Sequence, residues 1–111
     1  MTDQLSLTLA ALADPTRRAM LLRLAEGTAT VTELGAPFAL SQPAISKHVK
    51  VLERAGLISR SRLAQTRPCQ LELAKLLELN DFMRHFRAVT EGQLDQLETY
   101  LAEIQTKGAA K

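Results

Sequence analysis

Six cations fall between Ser41 and Arg67 of this chain: Lys47, Lys50, Arg54, Arg60, Arg62 and Arg67. One acid, Glu53, stands among them. That local excess is the chemistry of polyanion binding, because each Lys or Arg can neutralise a phosphate and release its counterion. Gln42, Ser46 and Lys47 add groups able to read base edges. A glutamine pairs bidentately with adenine, and a lysine reaches guanine acceptors or a phosphate. Lys50, Arg54, Arg60, Arg62 and Arg67 are expected on phosphates, where they position without reading. Between Glu72 and Thr106 the balance reverses, with seven acids against Lys75, Arg84 and Arg87. One end of the molecule is therefore cationic and the other is not. That asymmetry suits a phosphate backbone better than a membrane surface, since no basic amphipathic helix accompanies it.

These side chains need a helix and a hairpin to present them. At about 100° per residue, Ile45, Val49 and Leu52 fall in one stripe, with Ser46, Lys47, Lys50 and Arg54 on the opposite arc. Ser41 is suited to cap that helix, Pro43 is tolerated in its first turn, and Gly56 supplies its stop. The predicted helix runs over Ser41–Ala55, and Ser41 and Pro43 at its start join the expected contact set. His48, on the flank of the stripe, fits a packed, hydrogen-bonded role better than a base-reading one. Upstream, Thr30 and Glu33 form a capping signature for a short helix over Val31–Phe38, broken near Pro37. Helix, tight turn, helix is the unit whose second helix enters a major groove. Downstream, Leu57–Arg62 and Arg67–Leu73 read as two strands, with Cys69, Leu71 and Leu73 alternating against Gln70 and Glu72.

Leu12–Gly27 (LADPTRRAMLLRLAEG), Leu40–Ile58 (LSQPAISKHVKVLERAGLI) and Arg67–Leu73 (RPCQLEL) together resemble the ArsR/SmtB family of bacterial winged helix-turn-helix repressors. The likeness extends over about Leu5–Ile104, and the order of motifs is more specific than any one of them. It implies a mainly α fold with a small β-hairpin wing, and a dimer interface built from the terminal helices. The chain departs from a common family pattern at the wing tip, where Ala64, Gln65 and Thr66 stand without glycine. How Gln65 and Arg67 approach DNA depends on that tip.

A chain of 111 residues with 46% hydrophobic content makes one small domain, expected over residues 1–106 with a flexible tail at 107–111. With no tryptophan and three phenylalanines, its core must be aliphatic. A core that size is marginal, which favours burial against a second copy. Leu5, Leu9 and Leu12 make a stripe near the N-terminus, and Leu94, Leu97, Leu101 and Ile104 make a seam near the C-terminus, interrupted upstream by Gly92. Both are assigned to a homodimer interface. Between them Pro15–Glu26 is a helix capped by Asp14, with Ala19, Leu22 and Leu21 facing inward and Gly27 as its stop. Arg17 and Arg18 open it, free either to touch DNA backbone or to bond within the chain. No apolar run approaches membrane-spanning length and no signal peptide precedes Asp3, so a cytoplasmic protein is expected.

Sensing chemistry is sparse. Many members of the family that the chain resembles bind metals through cysteine pairs before the reading helix, or through Asp, His and Glu sets on the last helix. Val31–Leu40 has no Cys or His, and Leu94–Ile104 has no His. Asp81 and His85 make at most half a site, so no metal and no cofactor is assigned. Cys69 is the lone cysteine. A redox role would need a lowered thiolate pKa, for which Arg67 on the same strand face is the hint. No phosphate loop and no nucleophile–base pair points to an enzyme. The sequence therefore reads as a homodimeric DNA-binding repressor acting on a pseudo-palindromic operator. Two alternatives stand beside it: a winged-helix module that binds an acidic protein, and a thiol-redox repressor acting through Cys69.

Overall fold

The first four helices of the computed structural model, which describes residues 3–62 and 65–109, each open where a short polar side chain caps them. Asp3 accepts from the Ser6 N–H (2.7 Å) and starts α1, Gln4–Leu12. Asp14 accepts from the Arg17 N–H (3.1 Å) and starts α2, Pro15–Ala25, with proline in the first turn. Thr30 and Glu33 bond reciprocally, 3.1 and 3.2 Å, and open α3, Val31–Gly35. Ser41 caps α4, Gln42–Arg54, through the Ala44 N–H at 3.3 Å. Such caps satisfy donors that have no partner inside the helix, each contributing about 1 kcal/mol. A two-stranded antiparallel hairpin follows, β1 (Ile58–Arg60) and β2 (Cys69–Leu71), and then α5, Ala74–Ala109.

The chain divides into two units, Met1–Leu79 and Asn80–Lys111. In the first, Met20, Leu21, Leu24, Leu34, Ile45, Val49, Leu52, Leu57, Ile58 and Cys69 form one buried cluster, against which Leu12, Phe38, Leu71 and Leu76 pack. Gly56, at φ +75°, takes the left-handed conformation that closes α4 and turns the chain into β1. Gly35 is required for a different reason. A Cβ there would stand 2.9 Å from Ile45 Cγ2, so the close approach of α3 to α4 admits no side chain. The wing's register pairs Ile58 with Leu71, Ser59 with Gln70 and Arg60 with Cys69. A bridge between Ala29 and Cys69, with N–H to O distances of 3.1 and 2.7 Å, joins the base of the wing to the segment ahead of α3. The second unit is the remainder of α5.

Several expectations need correction. The inward face of α2 is Met20, Leu21 and Leu24, while Ala19 is exposed and Leu22 is 71% exposed. The buried arc centres on Leu21 and Leu24, and a residue one position past Leu21 turns about 100° away from it. The helix ahead of the turn ends at Gly35, with the Phe38 N–H reaching the Gly35 carbonyl (3.0 Å) as a single turn, because Pro37 has no donor to continue it. The strands are shorter than the alternation suggested, and Leu73 is exposed. Pro68 and a left-handed Arg67 (φ 43°) end the ladder on one side, and the chain enters α5 at Ala74 on the other. Helix α5 runs unbroken through Gly92 and on to Ala109, so residues 107–109, assigned to a flexible tail, are helical, with no proline to stop the ladder. Leu63 and Ala64 of the wing tip, and residues 110–111 of the tail, lie outside the described residues.

The capping box has a measurable signature. The Glu33 carboxylate is held below its usual value of 4.5, first by the Thr30 N–H, and the nearby Arg23 charge acts in the same direction. A depressed folded-state value contributes stability that is full above the unfolded value and is lost as pH falls through the folded one. Glu33→Gln keeps an acceptor without a titrating charge. Its melting temperature should fall less than that of the wild type between about pH 6 and about pH 3; an equal fall would remove Glu33 from the acid response.

Candidate nucleic-acid interface

Burial of Ile45, Val49 and Leu52 decides what α4 shows to solvent. Gln42, Pro43, Lys47, Lys50 and Arg54 are exposed, Ser46 is half-buried on the same arc, and Ser41 is exposed at the cap. In the wing, Arg62, Gln65 and Arg67 are exposed and Arg60 is half-buried. Among the described residues, the ion pairs are Arg23–Glu33, Lys75–Glu78 and Arg87–Glu91. None of the six cations from Lys47 to Arg67 is matched by a carboxylate there. A helix and a hairpin thus carry unmatched positive charge beside two uncharged groups, Gln42 and Gln65, that can donate and accept.

The wing is braced by its own side chains. Ser59 donates to Glu72 (2.5 Å), and the Gln70 amide donates to Ser59 (3.0 Å) and Glu72 (3.2 Å). Arg60 donates through Nε to the carbonyl of Arg67 (3.3 Å), so part of a guanidinium expected on phosphate holds the wing together instead. The residue with positive φ is Arg67 itself, standing where the missing glycine would relieve the turn. Left-handed backbone costs a non-glycine residue about 1–2 kcal/mol.

Arg17 and Arg18 bond within the chain. Arg17 donates to the carbonyls of Ala11 (2.8 Å) and Ala10 (3.0 Å), Arg18 to that of Leu12 (2.8 Å), and together they satisfy the end of α1. Arg17 also meets His48 Nδ1 at 3.2 Å, so His48 is half-buried and hydrogen-bonded. Gln4, which the sequence did not single out, donates to the carbonyl of Ala55 at the end of α4 (2.8 Å). Its only prior signal was a polar residue near the start of an apolar stripe.

Cys69 lies fully buried in the core. Burial pushes its thiol up from the ordinary value; the Arg60 charge opposes this and Glu53 adds to it. The cation acting on the thiol is therefore Arg60. Arg67 leaves the strand at its left-handed turn, so the shared strand face does not form. A buried thiol with a raised pKa is a poor nucleophile. Among the described residues, no three His, Cys, Asp or Glu side chains gather as metal ligands, and no helix is long and apolar enough to cross a membrane.

A basic helix held by a preceding short helix, with a basic hairpin beside it, defines a winged helix-turn-helix DNA-binding protein. A helix-turn-helix domain family matches residues 12–60. The HTH-type transcriptional regulator Rv2034 of Mycobacterium tuberculosis is 42% identical over 82 residues, covering 72% of this chain and 77% of that one. The transcriptional repressor SdpR of Bacillus subtilis is 34% identical over 76 residues, covering 68% and 84%. A crystal structure of an ArsR family transcriptional regulator matches with a TM-score of 0.75 at 37% identity, covering 80% of this chain and 98% of the other. The chain belongs to the ArsR family of winged helix-turn-helix transcriptional regulators.

Lys50→Ala and Arg62→Ala should each weaken binding to all duplexes alike and reduce the salt slope by about one unit per lost phosphate contact. A slope unchanged in a titration of affinity against salt would take that residue out of the interface. Cys69 in the native protein should resist a small alkylating reagent and react once denatured, as followed by intact mass; rapid labelling of the native protein would restore the redox reading.

Proposed function

We propose that the chain is a homodimeric repressor that reads a pseudo-palindromic operator with α4 and grips the flanking backbone with the wing. The observation that carries this reading is the unmatched cationic arc of α4, continuous in sequence with a cationic wing. Gln42, Ser46 and Lys47 read base edges. Ser41 and Pro43 bring the start of the helix close to the groove, and Lys50, Arg54, Arg60, Arg62, Gln65 and Arg67 hold the backbone. Repression is supported by the kinship with SdpR, itself a transcriptional repressor. The protein acts by binding alone, in the cytoplasm, without metal or other cofactor.

Dimerisation is supported by apolar surface left open on each unit. In the second, Leu94, Leu97, Leu101 and Ile104 repeat at intervals of three and four residues and are between 47% and 56% exposed. In the first, Leu9 of α1 is exposed, with Leu5 and Leu12 half-buried beside it. Solitary helices with such seams are stabilised by a partner rather than by propensity.

The test is selection of bound sequences from a random duplex pool at physiological salt. It should enrich two inverted half-sites centred about 34 Å apart, or a multiple. Gln42→Ala should then relax preference at one base pair, by about 1–3 kcal/mol. Retention of every duplex with equal affinity would leave a cationic module for an acidic partner as the better reading. A Leu97→Glu, Leu101→Glu variant should sediment as a monomer and lose the two-fold footprint; a dimer unaffected by both changes would move the interface elsewhere.

A further inference from the structure

The Arg17 guanidinium spends its donors on two different helices. Nε and Nη2 bond the carbonyls of Ala11 and Ala10 at the end of α1, and Nη1 lies 3.2 Å from His48 Nδ1 in the middle of α4. A guanidinium can only donate. Nδ1 is therefore the acceptor, and the imidazole carries its proton on Nε2. His48 sits beside Val49 at the border between the buried stripe and the exposed arc of α4.

We infer that Arg17 and His48 are positioning residues, a polar pair that fixes the rotation of α4 so that Gln42, Ser46 and Lys47 meet base edges in register. The inference rests on the DNA-reading function proposed above. The apolar stripe already selects the inward side of α4, but dispersion contacts are non-directional and tolerate small rotations of a helix about its axis. A planar fork held on two carbonyls is less tolerant, because its Nη1 donors then point in fixed directions. Rotation of α4 by a few tens of degrees would carry His48 off that line, and would turn Lys47 and Gln42 within the groove by the same angle. The Gln4 amide on the Ala55 carbonyl secures the far end of the helix, so α4 is held at two points from the N-terminal part of the fold.

The experiment compares affinity for the duplex that the wild type selects with affinity for a scrambled duplex of equal length, at fixed salt. At about pH 7.5, His48→Ala should lower that ratio about tenfold, leaving scrambled-duplex affinity unchanged because no charge is altered. His48→Asn, whose Oδ1 stands near the position of Nδ1, should restore most of the loss. An undiminished ratio in His48→Ala, or an Asn variant no better than Ala, would each overturn the inference. If the alanine variant does not fold, the asparagine variant still decides: a ratio well below the wild type's would overturn the inference. A wild type that enriches no sequence overturns the DNA reading itself, and the pair's role with it.

Discussion

Removal of three aliphatic side chains from water sets the orientation of everything that concerns nucleic acid. Ile45, Val49 and Leu52 are each almost fully buried, and full burial of such a side chain contributes about 1.5–3 kcal/mol. With that stripe inside, the geometry of an α-helix decides which arc of side chains faces out. The cationic arc of α4 is a consequence of the core. Gly35 sharpens the effect, because its missing side chain lets Ile45 sit against α3. The depth of the reading helix in the fold follows from one missing methyl group.

The polar interactions around this core do a different job from the apolar ones. The caps of α1 to α4 define where each helix starts, and the arginines at the head of α2 close α1. The donors of Arg17 and Arg18 are thereby engaged within the fold, while among the described residues the six cations between Lys47 and Arg67 have no carboxylate partner. A protein with a modest net charge of +2 achieves a strongly basic face by pairing elsewhere. Field strength at a surface depends on the arrangement of charge more than on its sum.

What could be read from the chain beforehand depended on how local the physics was. Ser41, Pro43, Gly56 and the stripe of α4 act within a turn or two, and the helix they mark has the expected cap and core face. The capping box of Thr30 and Glu33 was legible for the same reason. The inward face of α2 was not, because its leucines and methionine offer several equally apolar arcs and only packing against α1 and α4 chooses among them. Leu22 is exposed although nothing in its neighbours distinguishes it from Leu21. The Arg17–His48 contact spans 31 residues, and a pairing of that range leaves no trace in spacing. Nor does an arginine announce that it will occupy a left-handed turn, as Arg67 does. At the site, residue types and their exposed arc were legible, and the engagement of Arg60 with the Arg67 carbonyl was not.

The bridge between Ala29 and Cys69 couples the wing to the approach of the helix-turn-helix through two short backbone bonds. The Leu57 carbonyl, just past α4, accepts from the Glu72 N–H at the wing's other side. The base of the wing is thus tied by backbone bonds both to the segment ahead of α3 and to the end of α4. On the function proposed above, strain of docking would then fall more on the duplex than on the wing base. Bending a short site costs about 1–6 kcal/mol and depends on base steps that need never be touched. On the function proposed above, a clamp braced in this way would rank sequences by their mechanical compliance as well as by their edges.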